Sequence, residues 1–172
     1  MTITLPRTGW PVPAPPPCAP ARGEAAPALA DEALELTWRL AKERRFAALS
    51  AALARQGGLL PADEFCGLLR THWDQPLSRL ARWIAGRELV SVTWRSQIWL
   101  PLFQFERPFL DRNPTACEVV RALRTVYDDW ELAEWFVRPH DLLAGRSPAT
   151  RLACDPASVK EAARMDRFIN RW

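Results

Sequence analysis

Proline placement limits what this chain can fold into more than any other feature. Eight of the sixteen prolines lie in residues 1–30, including Pro15-Pro16-Pro17, and the other eight stand singly further on. Proline fixes φ at about −65° and carries no N–H, so it is kept out of helix interiors and central strands. Residues 1–30 therefore read as an extended, disordered tail with little to bury. A proline-rich docking ligand is the alternative, weakened by the lack of a clean P-x-x-P core with a basic anchor.

From Asp31 onward, prolines and glycines divide the chain into runs of helical periodicity. Asp31 suits an N-cap, with Glu32 and Glu35 in the first turn where the helix dipole favours acid. Leu34, Trp38 and Ala41, then Phe46, Leu49 and Leu53, recur at helical spacing until Gly57-Gly58 stops the run. This predicts one long helix over residues 31–57, with Lys42, Arg44 and Arg45 on a solvated face. Residues 61–87 read as two short helices. Pro61 starts the first, which carries Phe65, Leu68 and Leu69; Pro76 opens the second after a break at Trp73-Asp74-Gln75. Leu77, Leu80, Ala81 and Ile84 form the second helix's apolar stripe, with Arg79, Arg82 and Arg87 mostly off it. Val90, Val92 and Trp94 alternate with Ser91 and Thr93, and Ile98-Trp99-Leu100 answers across Arg95-Ser96-Gln97. That is a short hairpin, whose second strand ends at Pro101 or lies at an edge.

The rest is helical. Pro114 precedes Val119, Val120, Leu123, Val126 and Tyr127. Asp128 or Asp129 caps a helix bearing Trp130, Ala133, Trp135, Phe136 and Val137, which Pro139 ends. Gly145 and Pro148 bracket a tight turn, and a short helix from Pro148 ends near Asp155. Pro156 starts the last helix, with Ala162, Met165, Ile169 and Trp172 on one face and Val159 and Ala163 beside them. The fold class expected is mainly α: a helical bundle with one small β-hairpin. A helix-turn-helix-like unit (residues 58–112) precedes a helical domain (residues 113–172).

Composition narrows the function classes. Apolar residues make up 48% and charged ones 25%, ordinary for a soluble globular protein. A net charge of +3 does not force nucleic-acid binding. Only Lys42 and Lys160 are lysines, so arginine supplies the positive charge. Arginine suits bidentate contacts to carboxylate or phosphate, and it is also what a GC-rich bacterial genome tends to encode. Nine tryptophans imply either an aromatic-rich core or aromatics awaiting a partner. Cys18, Cys66, Cys117 and Cys154 form no C-x-x-C pair, so neither a zinc framework nor a dense disulfide scaffold is suggested. No apolar run reaches membrane-spanning length, and the N-terminus lacks the charged-then-apolar order of a secretory signal. A reduced, cytoplasmic protein with no membrane partner is expected. His72 and His140 are the only histidines, and the G-x-x-x-x-G-K-S/T, G-x-G-x-x-G, H-E-x-x-H and G-x-S-x-G motifs are absent. The acid pairs Asp63-Glu64 and Asp128-Asp129 stand at helix starts, where capping explains them. The expectation is a binding protein with no catalytic site, metal or cofactor.

Trp130 to Phe168 carries W-E-L-A-E-W-F-V-R-P-H-D-L-L-A-G-R-S-P-A-T-R-L and then an alanine-rich helix. This segment resembles the toxin-binding domain of Xre/MbcA/ParS-type antitoxins: a tryptophan-bearing helix, a proline, a leucine before G-R-x-P, and a leucine within the next turns. Trp135, Pro139, Leu143, Gly145, Arg146, Pro148 and Leu152 match in order and spacing. His140 stands where the family often has asparagine, and Ala144 where a second glycine is common. The resemblance implies binding and neutralisation of a RES-domain toxin, a class that attacks NAD, partly by blocking its active site with C-terminal elements. It also implies repression of the protein's own promoter and a dimeric state. His140, Arg146, Ser147, Arg167, Arg171 and Trp172 are the partner-binding candidates. Pro139 and Pro148 limit the loop's entropy and Gly145 permits its turn. Arg146 is thereby held out toward an acidic or phosphate-lined pocket, or else satisfies nearby helix C-terminal carbonyls. Trp172 either anchors in a partner pocket or packs back on its own domain.

Residues 61–105 resemble a helix-turn-helix with a wing. Arg79, Arg82, Arg87 and Arg95 could meet the phosphates of operator DNA, which gives affinity without specificity. Ile84-Ala85 stand where a base reader gains from polar side chains, so a degenerate structural or dimerising module is the alternative. The helix of residues 31–56 is the candidate for self-association, as a homodimer or within a hetero-oligomer with toxin. A DNA-binding regulator without a toxin, or an adaptor reusing the domain, are the rival functions.

Overall fold

The computed structural model describes residues 25–70 and 73–171. The chain divides after Leu40 into two units. Helix α1 spans Ala25–Leu53, so it begins six residues before Asp31, which lies inside the helix and is not its cap. Residues 25–30 of the expected tail are thus helical; residues 1–24 fall outside the described residues. In the first unit every side chain from Asp31 to Leu40 is exposed, so Leu34 and Trp38, expected on a buried stripe, bury nothing there. Glu35 and Arg39 pair at 3.1 Å along the helix.

Within residues 41–172 the carboxyl end of α1 is buried through Leu49 and Leu53. A 3₁₀ turn, Ala54–Gln56, leads to Gly57 at φ 100°, where a Cβ would stand 3.0 Å from that of Leu102. That close approach and the left-handed backbone both require glycine. Strand β1 (Leu59–Pro61), helix α2 (Ala62–Leu69) and helix α3 (Pro76–Ala85) follow, then the hairpin β2 (Val92–Trp94) and β3 (Gln97–Pro101). The hairpin turn is two residues, Arg95 and Ser96, both at positive φ as a primed turn demands. The sheet has the order β1-β3-β2, with Leu59 opposite Pro101 and Val92 opposite Trp99. β1 adds to the expected hairpin; three residues ending in proline are too few to show alternation. Pro101 closes β3.

One hydrophobic cluster joins Phe65, Cys66 and Leu69 to Leu80, Trp83, Leu89, Leu100 and Phe105. The stripe of α3 is therefore Leu80–Trp83–Ile84. Leu77 is 70% exposed and Ala81 is exposed too, so the expected stripe is rotated toward Trp83. Buried Gln104 donates to the carbonyls of Val90 and Pro101 at 2.8 and 3.0 Å and accepts the Val90 N–H at 2.8 Å. A two-stranded ribbon, β4 (Phe105–Glu106) with β5 (Asp111–Arg112), leads into the helical region.

Four helices follow: α4 (Pro114–Leu123), α5 (Asp129–Val137), α6 (Pro148–Arg151) and α7 (Pro156–Ile169). Asn113 caps α4, Asp128 and Glu131 form a reciprocal capping box on α5, and Asp155 caps α7. α4 stops at Leu123, so Val126 and Tyr127 lie beyond it, partly buried. The main cluster combines Leu49, Leu53, Val90 and Val92 with Val119, Val120, Leu123, Leu132, Phe136, Leu143, Leu152, Val159 and Ala162. Among the described residues no helix is long and apolar enough to cross a membrane. The architecture is mainly α with small antiparallel sheets.

Candidate partner-binding site

The G-R-S-P turn is built from the end of α5. Arg138 is extended (ψ 143°), as a residue before proline prefers, and α5 stops at Val137. The His140 N–H then donates to the Arg146 carbonyl, and the Gly145 N–H to the His140 carbonyl, each at 3.1 Å. Between them Asp141–Leu143 makes one 3₁₀ turn that buries Leu143. Ala144 (φ 54°) and Gly145 (φ 70°) carry the chain back in the left-handed region. The Leu142 N–H donates to His140 Nδ1 at 3.2 Å. An asparagine Oδ1 could accept that same N–H.

Histidine adds a second contact. With Nδ1 accepting, the ring proton sits on Nε2, which lies 3.1 Å from Asp166 Oδ2. The same oxygen accepts the Trp135 indole N–H at 2.5 Å. Trp135, 7% exposed, is thus a core side chain with its polar edge satisfied. Tyr127, Glu131, Arg138 and Pro139 join these three residues around a cleft of 250 Å³. Burial, aided by the carboxylates of Asp166 and Glu131, pushes the Tyr127 phenol above its ordinary value. The Tyr127 oxygen accepts from Asn170 Nδ2 at 2.9 Å. Glu134, on the same helix, pairs with both Arg45 and Arg138, and Arg45 lies over the Trp130 ring.

The seven residues of the sequence motif separate into two kinds. Trp135, Leu143, Pro148 and Leu152 are buried, while Pro139 and Gly145 shape the turn and are exposed. Arg146 alone presents a charged, exposed side chain; its backbone bonds His140 and Leu143, while its guanidinium has no hydrogen bond or ion pair with any described residue. The alternative that it satisfies helix carbonyls is therefore not what the structure shows. Ser147 is half-buried, and its hydroxyl donates to Thr150 at 3.3 Å.

Helix α7 faces differ from expectation. Val159, Ala162 and Ala163 are buried and Asp166 continues that side, whereas Met165, Phe168 and Ile169 are 42, 68 and 63% exposed. Met165 and Ile169, expected on the packed face, lie outside it because the helix seats its alanines against α4. Phe168 was not singled out by spacing; the polar Asp166 on the inner face is the signal that would have shifted the register. Arg167 and Arg171 are exposed nearby, and Trp172 lies outside the described residues. Leu142, 55% exposed, belongs to the 3₁₀ turn that packs on α7. Arg146 is bridged to His140, and His140 to Asp166, so the turn and α7 are held in one fixed relation.

No family model, no curated protein and no solved structure matches this chain.

The four arginines considered for phosphate contact are not brought into one patch. Arg87 donates to the carbonyls of Arg124 and Tyr127 and pairs with Asp129 at 2.9 Å, closing the end of α4. Arg95 pairs with Glu43 at 2.9 Å and stacks on Trp94. Arg79 stacks 4.5 Å above Trp73 and, with Arg82, lines a 460 Å³ cleft at the start of α3. Only these two remain together and facing solvent; His72 lies outside the described residues.

Proposed function

We propose that residues 113–172 form a partner-binding module of antitoxin type, which neutralises a RES-domain toxin by covering its active site. The observation that carries this reading is Arg146. It is raised on a proline-framed turn with its backbone fully bonded and its guanidinium unpaired. An arginine held this way loses little entropy when it meets a carboxylate or phosphate. Leu142 of the same turn and Met165, Phe168 and Ile169 on the exposed side of α7 would give the apolar part of a contact, and aromatic and arginine side chains are the usual anchors of interfaces. The resemblance of the motif supplies the partner class, and occlusion of a cytoplasmic NAD-consuming enzyme supplies the role.

The order β1-α2-α3-β2-β3 favours a second reading, in which the amino-terminal half binds operator DNA as a winged helix-turn-helix unit. Arg79 and Arg82 at the head of α3 would be its phosphate contacts.

The test is co-expression with a RES-domain protein encoded beside this chain. Deleting α7 is uninformative, because Val159, Ala162 and Ala163 belong to the core. Arg146→Glu and Phe168→Glu, both at exposed positions, are expected to abolish protection while the protein still folds. Full protection by both variants, or the absence of any such neighbour, overturns the proposal.

A further inference from the structure

A cleft of 900 Å³ lies between the 3₁₀ turn after α1, the β4–β5 ribbon and the starts of α4 and α7. Two arginines reach it from separate elements, Arg55 from the 3₁₀ turn and Arg107 from the loop of the ribbon. Both are exposed, and neither makes a hydrogen bond or ion pair with any described residue. Glu106 is the one acid on the lining, and its carboxylate already accepts from the Asn113 side-chain amide at 3.0 Å. The cleft is therefore positive. Thr115 adds a backbone donor: Pro114 has no N–H and Asn113 takes that of Ala116, so the Thr115 N–H is one that the start of α4 leaves unpaired. Gln56 lines the cleft as well, and its Oε1 is buried without a hydrogen-bond partner. Buried polar atoms are nearly always paired. An orphaned acceptor in the wall of a cleft marks a place for a donor that the chain itself does not supply. Half-buried Phe103 and buried Leu152 give the apolar part of the wall.

We infer that this cleft binds a small organic anion. Its carboxylate or phosphate group is held by Arg55 and Arg107, and its flat apolar body lies against Phe103 and Leu152 and brings a hydrogen-bond donor to Gln56. Arginine meets either oxyanion through parallel N–H bonds. The volume is within the range of about 300–1,000 Å³ that small-molecule sites occupy. Two cations against one acid suit a single anionic group. A polyanion such as nucleic acid needs a row of bases to meet its repeated phosphates. Every lining residue belongs to the second unit. The inference goes beyond the partner-binding reading and stands without it, because Leu142, Arg146, Met165, Phe168 and Ile169 do not line the cleft.

Amide chemical-shift titration of the full-length chain tests it, with para-hydroxybenzoate, benzoate, phenyl phosphate and phenol as probes. Shifts are expected at Gln56 and Thr115. Para-hydroxybenzoate, which carries the donor, should bind more tightly than benzoate, and phenol, which lacks the anion, least tightly. Comparing benzoate with phenyl phosphate tells a carboxylate site from a phosphate site, and tighter binding of either supports the inference. Arg55→Glu and Arg107→Glu are each expected to weaken para-hydroxybenzoate binding by about tenfold or more. Both positions are exposed, so circular dichroism of these variants should match the parent. Gln56→Leu should keep the binding of benzoate and lose the preference for the hydroxylated probe. Arg121→Glu, at an exposed position of α4 outside the cleft, should bind as the parent does. Absence of shifts with all three anions at millimolar concentration overturns the inference. So does phenol binding as tightly as the anions, charge-reversed Arg55 and Arg107 variants that bind like the parent, or equal loss in Arg121→Glu. Retention of the preference in Gln56→Leu overturns the assignment of the donor to Gln56.

Discussion

The indole of Trp135 and the carboxylate of Asp166 are joined by a 2.5 Å hydrogen bond that ties α5 to α7 across 31 positions of sequence. Because His140 Nε2 reaches the same oxygen at 3.1 Å, one acid fixes a helix, a turn and the terminal helix together. The exposed face of α7 and the arginine of the turn owe their relative placement to that carboxylate.

Asp166→Ala leaves the Trp135 N–H, and the His140 ring with it, without an acceptor in a largely buried place. The expected loss is about 2 kcal/mol, since an orphaned buried donor costs about 1–3 kcal/mol. Trp135→Phe should cost less through the bond it removes but more through lost volume, and the double variant should fall short of the sum. Urea denaturation of the three proteins measures this. Strict additivity would mean that the two side chains do not act as a pair.

Ala144 is an L-residue at φ 54° followed by Gly145 at φ 70°. Ala144→Gly should raise stability by about 0.5–1 kcal/mol, strain relief exceeding the added freedom of the unfolded chain. Gly145→Ala should lower it by about 1 kcal/mol through the backbone alone, because a Cβ there meets nothing within 4 Å. Opposite shifts in melting temperature are the readout; equal signs would contradict the turn geometry.

Arg87 acts as a bracket for the end of α4. Arg87→Ala should cost about 1–2 kcal/mol, through three lost contacts to carbonyls and to Asp129. Should DNA binding exist, this variant would change its salt dependence no more than a neutral surface substitution, whereas Arg79→Ala and Arg82→Ala would reduce the slope. Loss of DNA affinity with unchanged stability in Arg87→Ala would reverse that assignment.

Two carboxyls are held below their ordinary values, Glu118 chiefly by the Lys160 ammonium and Asp155 chiefly by the Ser158 hydroxyl. A depressed folded value stabilises the fold above the unfolded value and is lost as pH falls through the folded one. Glu118→Gln and Asp155→Asn should therefore be less stable than the parent at neutral pH and converge with it in acid, below the ordinary values of 4.5 and 3.8, which flattens the acid limb of the stability profile. An acid limb as steep as the parent's would contradict both pairings.

Much of the carboxyl-terminal half was legible because its signals are local. Asp128 with Glu131, Pro139 and Pro156 each act within four residues of their own position, and the helices start and stop where they dictate. What sequence could not supply was direction. The periodicity of α3 and α7 allowed several neighbouring faces, and the choice was made by partners distant in the chain, Phe65 and Leu100 for Trp83, α4 for Ala162 and Ala163. The same holds for Asp166, whose partners lie 26 and 31 residues away, and for Gln104, which bonds Val90 across 14. Strand β1 was hidden by its brevity. Arg87 and Arg95 read as surface cations because nothing near them in sequence reveals that Asp129 and Glu43 neutralise them.

Calorimetric titration of a purified RES-domain partner with the parent chain, Arg146→Glu and Phe168→Glu tests the central claim most directly. The parent should bind tightly, and each substitution should weaken binding by about tenfold or more while melting behaviour stays within that of the parent. Binding of both variants as tightly as the parent would show that neither the raised arginine nor the open face of α7 meets the partner.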